Sequence, residues 1–367
     1  MIKPEKWQIG GGFGLLIFAA FYLLAAPAAA QQPESAIEGP DWSTMLRLGM
    51  EYDDNPLRSD EYDGGGDAVM RYLVGADLSQ ALGEGSQVSA TLRHGGKFFR
   101  NQREANALVT QVGGSANWWA HHRLSLRGMV ELKDRTEWGR DRDYTRGGAA
   151  LRLASRAGPV RFWADGGWRY FTFKPTPSSS YRGPMTQLGG RWMIRGDLAL
   201  DANWTHLWRN YDGIAWRVRD DRFIPRGEGV HRRDSFHQWG VSLRYQDRIN
   251  ARLGYNYAYN RSNSYGQGLR RHSLAARVTV PLPWDLFLSA RGELQRARYE
   301  DAFQIDETFR LDEDHRNALV AAISRPIAGP WEVELRYGIF AHEFGADRDY
   351  RRQIIALSIG AYLERDD

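Results

Sequence analysis

The feature that most constrains this chain is strict alternation between apolar and polar residues, recurring over nearly its whole length. Residues 46–58 read LRLGMEYDDNPLR. In an extended chain Leu46, Leu48, Met50 and Tyr52 share one face, and Arg47, Gly49 and Glu51 share the other. The pattern stops at Asp53, Asp54, Asn55 and Pro56. Period-2 segments of this kind number about sixteen, while helical stripes of period 3.6 are missing. Clear examples are 68–79, 87–98, 123–133, 160–173, 198–208, 272–280, 331–340 and 353–363. A weaker one, 145–153, is diluted by Gly147 and Gly148. Each has about the length that a tilted strand needs to cross a hydrocarbon layer, roughly 9–11 residues.

Connections between the segments alternate in length. Residues 120–122 and 195–197 are short, whereas 53–67, 210–234 and 300–315 are long and charged. That asymmetry predicts an all-β fold, an antiparallel transmembrane β-barrel of about sixteen strands with short periplasmic turns and long extracellular loops. Every proline is expected in the leader, a loop or a turn, and none inside a strand.

The N-terminus has the layout of a secretory signal. Lys3 and Lys6 precede an apolar run near 13–26, and small residues around Ala28–Ala30 suit cleavage. The expected organisation is a cleaved signal peptide at 1–30, a periplasmic segment at 31–41 and an outer-membrane barrel at 42–367. No later segment approaches the ~18 apolar residues of a spanning helix. The chain has no cysteine, which excludes disulfides and thiolate metal sites. Its net charge of +4, without a basic run, gives no reason to expect nucleic acid as a partner.

Parity sorts the side chains. The apolar face carries Trp42, Trp118, Trp168, Trp192, Trp204, Trp208, Trp239 and Trp331, as in an aromatic girdle at a lipid–water boundary. The polar face would line a water-filled lumen. It holds Arg47, Arg71, Arg93, Arg127, Arg161 and Arg169, and further on Arg191, Arg244, Arg252, Arg277, Arg291 and Arg336. Lys97, Lys133 and Arg152 share that face, as do Glu51, Asp77, Glu131, Asp165, Asp201, Glu293, Glu332 and Glu334. Cross-strand ion pairs account for many of these groups, but bases outnumber acids nearly two to one. A confined basic channel concentrates anions, and the guanidinium fork suits carboxylate and phosphate.

A signal peptide, a first strand running into Tyr52-Asp53-Asp54-Asn55 with Leu57-Arg58, and this length together resemble a family of Gram-negative outer-membrane porin-like barrels. In that family a YDDN motif follows strand one, and several members accompany exopolysaccharide operons. The resemblance implies outer-membrane lipid, lipopolysaccharide and the barrel assembly machinery as partners, and polysaccharide and periplasmic export components as further ones. The chain departs from the usual terminal aromatic by ending IGAYLERDD.

Other features weigh less. Inward Trp163, Phe171 and Phe173 could stack on sugar rings, or Phe171 and Phe173 could be rim residues. Asp53, Asp54, Asp60, Glu61, Asp63 and Asp67 lack calcium-loop spacing and read as a solvated loop, so no metal and no cofactor is expected. His94, His206, His237 and His272 fall on the lipid side with no Ser or Asp in a convincing arrangement beside them. An enzyme is therefore not expected. Residues 211–234 mix Ile214, Trp216, Phe223 and Ile224 with Arg217, Arg219, Arg222 and Arg226, and are expected either to fold over the lumen as a constriction or to stay outside it. The function this predicts is a channel with an Arg-rich lumen, a conduit for an acidic exopolysaccharide or its fragments. A general or anion-selective diffusion porin is the alternative. An outer-membrane hydrolase and a plugged structural barrel rank lower.

Overall fold

The computed structural model describes residues 40–56, 65–83, 85–121, 123–139, 142–220, 222–301, 317–341 and 351–364. The expected signal peptide, most of the 31–41 segment and Asp60, Glu61 and Asp63 lie outside them. The first nine strands are β1 (Asp41–Asp53), β2 (Asp67–Ala81), β3 (Ser86–Phe99), β4 (Ala107–His121), β5 (Leu124–Glu137), β6 (Tyr144–Ala157), β7 (Val160–Phe173), β8 (Tyr181–Arg195) and β9 (Leu198–Ile214). A separate hairpin follows, β10 (Trp216–Arg219) with β11 (Arg222–Pro225). Then come β12 (His231–Gln246), β13 (Asn250–Ser262), β14 (Leu269–Leu282), β15 (Leu286–Tyr299), β16 (Asn317–Ala328), β17 (Trp331–Ala341) and β18 (Arg351–Glu364). Sixteen of these strands close a barrel, each antiparallel to its neighbours, with β18 returning to β1.

Short connections fall at one end of the barrel. Gly158-Pro159 and Gly329-Pro330 are two-residue turns whose glycines have φ of 57° and 53°. Only glycine takes that left-handed value freely, and the following proline fixes the next φ. The same alternation of connection length leaves the long segments together at the opposite end. β9 and β12 stand tall there, with 17 and 16 residues.

Two expectations need correction. Prolines do occur within strands: Pro184 lies in β8, Pro281 in β14 and Pro326 in β16. Pairing of β8 with β9 passes from Arg182 opposite Asn210 to Met185 opposite Leu207, so the missing N–H of Pro184 coincides with a gap in that ladder. Pro326 sits at a register shift against β17. In addition, residues 211–214 and 231–234 belong to barrel strands, not to the fifth loop. Gly147 and Gly148, which weakened the pattern of β6, allow close packing: a Cβ at Gly147 would meet the Tyr170 ring at 2.7 Å.

One face of the wall is apolar and uncovered. Met50 is 72% exposed, Leu151 61% and Leu319 58%, and all eight tryptophans named above have this parity. A band of this size facing water would be far beyond the apolar patches that soluble monomers show. Trp42, Trp118, Trp192 and Trp331 stand within a few residues of the short turns, as a girdle requires.

The YDDN stretch is the clasp of the seam. Asp53 is fully buried and takes a two-pronged hydrogen bond from Arg352, the Nε arm at 2.8 Å. Gln353 N donates to Asp54 Oδ1 at 2.6 Å, and Asn55 Nδ2 donates to the Arg351 carbonyl at 3.1 Å. Three consecutive side chains thus tie the end of β1 to the start of β18. The alternation stops at Asp53 because the chain has reached the long-connection rim.

Candidate functional site in the lumen

All twelve arginines assigned to the lumen by parity have inward parity in the barrel register. Several are matched by acids. Arg47 reaches Glu334 at 3.0 Å and Glu332 at 3.5 Å, and donates to the Tyr362 hydroxyl at 2.6 Å. Arg71 and Arg336 flank the buried Glu51 at 3.3 and 3.6 Å. Arg93 pairs with Asp77 at 2.6 Å, and Arg152 holds Asp165 through two bonds of 2.7 Å. Asp201 is shared between Arg191 at 2.6 Å and Arg244 at 3.3 Å.

Five others have no acid partner among the described residues. Arg127 donates to Ser115 Oγ at 2.9 Å, and Arg252 reaches Ser242 Oγ at 3.2 Å. No ion pair is formed by Arg161, Arg277 or Arg291 among the described residues. Arg169 lines a recess of about 470 Å³ with Arg127, Glu131 and Gln187. A second recess of about 290 Å³ is lined by Arg71, Lys97, Arg291, Glu293 and Arg336. The wall therefore has an excess of positive charge facing the lumen.

The half of the lumen nearest the long connections is different. Tyr144, Phe171, Phe173, Tyr181, Leu207, Tyr211, Phe236 and Leu269 form one buried cluster. Each lies on the inward face of a strand between β6 and β14. Phe171 and Phe173 stack at 6.3 Å between centroids. Arg209, 1% exposed, lies over Phe236 at 4.3 Å and Tyr181 at 5.1 Å. Arg232 covers Tyr211 at 3.8 Å and pairs with the buried Asp234. Phe171 and Phe173 are thus not free stacking platforms; they lie buried at the long-connection end of β7. Sequence periodicity placed them inward but could not show that six strands converge these side chains at one level.

The hairpin of β10 and β11 carries the arginines expected at a constriction. Arg217, Arg219, Arg222 and Arg226 are all exposed. The hairpin is braced on residues 263–265: Trp216 N donates to Ser264 Oγ at 3.0 Å, Tyr265 N to the Trp216 carbonyl at 2.9 Å, and Phe223 packs on Tyr265. Of its apolar side chains Phe223 makes that contact and stays 46% exposed. The buried cluster inside the barrel is made of strand side chains.

Histidines on the outward face do find partners. His206 Nε2 and His237 Nε2 bracket Ser235 Oγ at 2.9 and 3.2 Å, with the two rings stacked 4.0 Å apart. His94 is held between Tyr72 OH and Thr110 Oγ1 at 2.7 and 2.9 Å. Ser235 escaped the sequence reading because its second histidine is 29 residues away on the neighbouring strand. Stacked against Trp204, Trp208 and Trp239, the pair is part of the aromatic belt.

The acids of the first connection are structural where described. Asp53 and Asp54 serve the clasp, and Asp67 accepts bonds from the backbone N–H groups of Asn101 and Gln102, both at 2.8 Å.

These elements define a closed antiparallel barrel with an apolar exterior and a polar, basic interior. No family model matches the chain, and no curated protein matches it. Among solved structures it is similar to OccAB3 of Acinetobacter baumannii, at 9% identity over 89% of this chain and 99% of that one, with a TM-score of 0.45. OpdQ of Pseudomonas aeruginosa aligns at 11% identity over 89% and 100%, TM-score 0.45. A loop-deletion mutant of the Vibrio cholerae outer membrane protein OmpT aligns at 10% over 89% and 99%, also at 0.45. At such identity the likeness concerns the barrel architecture alone.

Proposed function

We propose that this chain is an outer-membrane channel that passes anionic solutes through its Arg-rich lumen, with no covalent step, and that its physiological cargo is an acidic exopolysaccharide or fragments of one. The reading rests on one observation: Arg161, Arg277 and Arg291 face the lumen without an acid partner among the described residues, and Arg127 and Arg252 meet only serine hydroxyls. Guanidinium groups left over after wall pairing attract anions from bulk water. In this reading the long connections face the exterior and the short turns the periplasm. Lipopolysaccharide and the barrel assembly machinery are its partners in the membrane, and export components meet the short-turn end. The YDDN clasp fits the resemblance to exopolysaccharide-linked porins. A diffusion pore for small anions is the second reading, favoured by the aromatic cluster that fills part of the lumen.

The test is the reversal potential of the purified protein in a planar bilayer across a salt gradient. Wild type is expected to prefer chloride over potassium. Changing Arg161, Arg169 and Arg191 together to Gln should move the reversal potential toward cations, most clearly at low salt, since exposed charges are screened within about 10 Å at 0.1 M. A cation-selective wild type would sink the proposal.

A further inference from the structure

The register of β12 to β15 places like charges in line. Arg244 stands opposite Arg252, Arg252 opposite Arg277, and Arg277 opposite Arg291. Four consecutive strands each contribute one inward arginine to a single row. Strands are spaced about 4.8 Å apart, so the row extends over roughly 14 Å. Like charges directly opposite each other destabilise a sheet. Elsewhere opposed cations have an acid beside them: Arg71 faces Lys97 but reaches Glu51, Arg127 faces Arg152, which holds Asp165, and Arg161 faces Arg191, which holds Asp201. In the row itself Asp201 meets one end, at Arg244, and is shared with Arg191.

What lies beside the row matters as much. One step along each strand toward the long connections, the inward residues are Ser242, Gly254, Ala275 and Glu293, in register with one another. The next inward residues are Asn256 and Ser273, which are opposite each other, with Gln295 opposite Ser273. The wall is therefore a trough: small side chains on its floor along β12 to β14, closed at β15 by Glu293, with arginines on one bank and amides and a hydroxyl on the other.

We propose that this trough is a binding track for an extended acidic polysaccharide, the arginine row taking a carboxylate on each successive sugar and the opposite bank taking sugar hydroxyls. The strand spacing is of the same order as the length of a sugar unit in an extended chain, so one polymer can satisfy several forks at once. A monovalent anion can use only one. A neutral glycan uses none. The track deepens the channel reading above and rests on it for its physiological meaning, but binding is measurable without conduction.

Isothermal titration of the protein folded in detergent, with a short oligogalacturonate, free galacturonate and a neutral maltooligosaccharide, tests the track. The oligogalacturonate is expected to bind at least about tenfold more tightly than the monomer, as linked binding groups do, and the neutral oligomer not measurably. Arg252→Gln with Arg277→Gln should lose that advantage. Arg270→Gln with Arg296→Gln removes equal charge from the outer face and should keep wild-type affinity. Equal affinity for monomer and oligomer, or undiminished binding by R252Q/R277Q, would overturn the proposal. So would equal weakening by the outer-face pair, because it would reduce the effect to net charge. Binding without anion-selective conductance would leave the track standing and sink the channel. Selective conductance without oligomer binding would do the reverse.

Discussion

Replacing Asp53 with alanine is expected to destabilise the barrel by about 3–5 kcal/mol, the usual cost of breaking a buried ion pair by removing one partner. Asp53 is fully buried and Arg352 nearly so, and the substitution strands the guanidinium at the seam between first and last strands. Asn55 N would also lose its bond to Asp53 Oδ1. The consequence should be larger than for any wall pair open to the lumen, such as Arg93 with Asp77, whose side chains are 37% and 43% exposed. Urea midpoints and the fraction migrating as a folded band in unheated gels are the readouts. Removing both partners, D53A with R352A, should cost clearly less than the two single losses added together, because the second change relieves the charge stranded by the first. Additive losses would mean that Arg352 has another partner of equal weight.

A second large effect is expected from the aromatic cluster. Phe171→Ala with Leu207→Ala removes two side chains that are each 1% exposed from the inward face of β7 and β9. Each truncation costs about 2–5 kcal/mol if the cavity stays open, but here the cavity adjoins a lumen and can fill with water. Single-channel conductance should rise clearly in the variant, while Trp216→Ala in the hairpin should leave it near wild type. The contrast follows from where the mass sits: the cluster is made by barrel strands, whereas the hairpin is braced on residues 263–265. A rise caused by the hairpin variant alone would return the constriction to that segment.

Much of the fold was legible in the sequence because lipid imposes a severe rule. Residues of one parity must be predominantly apolar across the hydrocarbon layer, with polar ones such as His206 and Arg270 kept to its ends, and that leaves a period-2 record that turns and loops break. Parity alone therefore placed Arg161, Arg252 and Arg291 in the lumen. It could not say which arginine faces which, since register depends on where each turn closes. The alignment of Arg244, Arg252, Arg277 and Arg291 appears only when four strands are laid side by side. The clasp was visible as a string, yet its partner Arg352 lies 299 residues along the chain. Proline misled for a physical reason: a ladder gap or a register shift can absorb a missing N–H, as at Pro184 and Pro326, and neither is visible in composition. The inward apolar cluster was hidden because Phe171 and Leu207 keep the polar-face parity while breaking its chemistry.

The central claim is a barrel that spans the outer membrane with its long connections outside, and single cysteines test it most directly. The chain has no cysteine of its own, so each introduced thiol reports alone. Gly196 lies in the short turn between β8 and β9, where a Cβ meets nothing within 4 Å. Gly227 lies in the long connection between β11 and β12, where a Cβ meets a Val230 methyl at 3.1 Å. On intact cells an impermeant maleimide is expected to label Gly227→Cys and not Gly196→Cys, while both react once the outer membrane is broken. Labelling at Gly196 with protection at Gly227 would invert the orientation, and equal labelling of both on intact cells would contradict a membrane-spanning barrel.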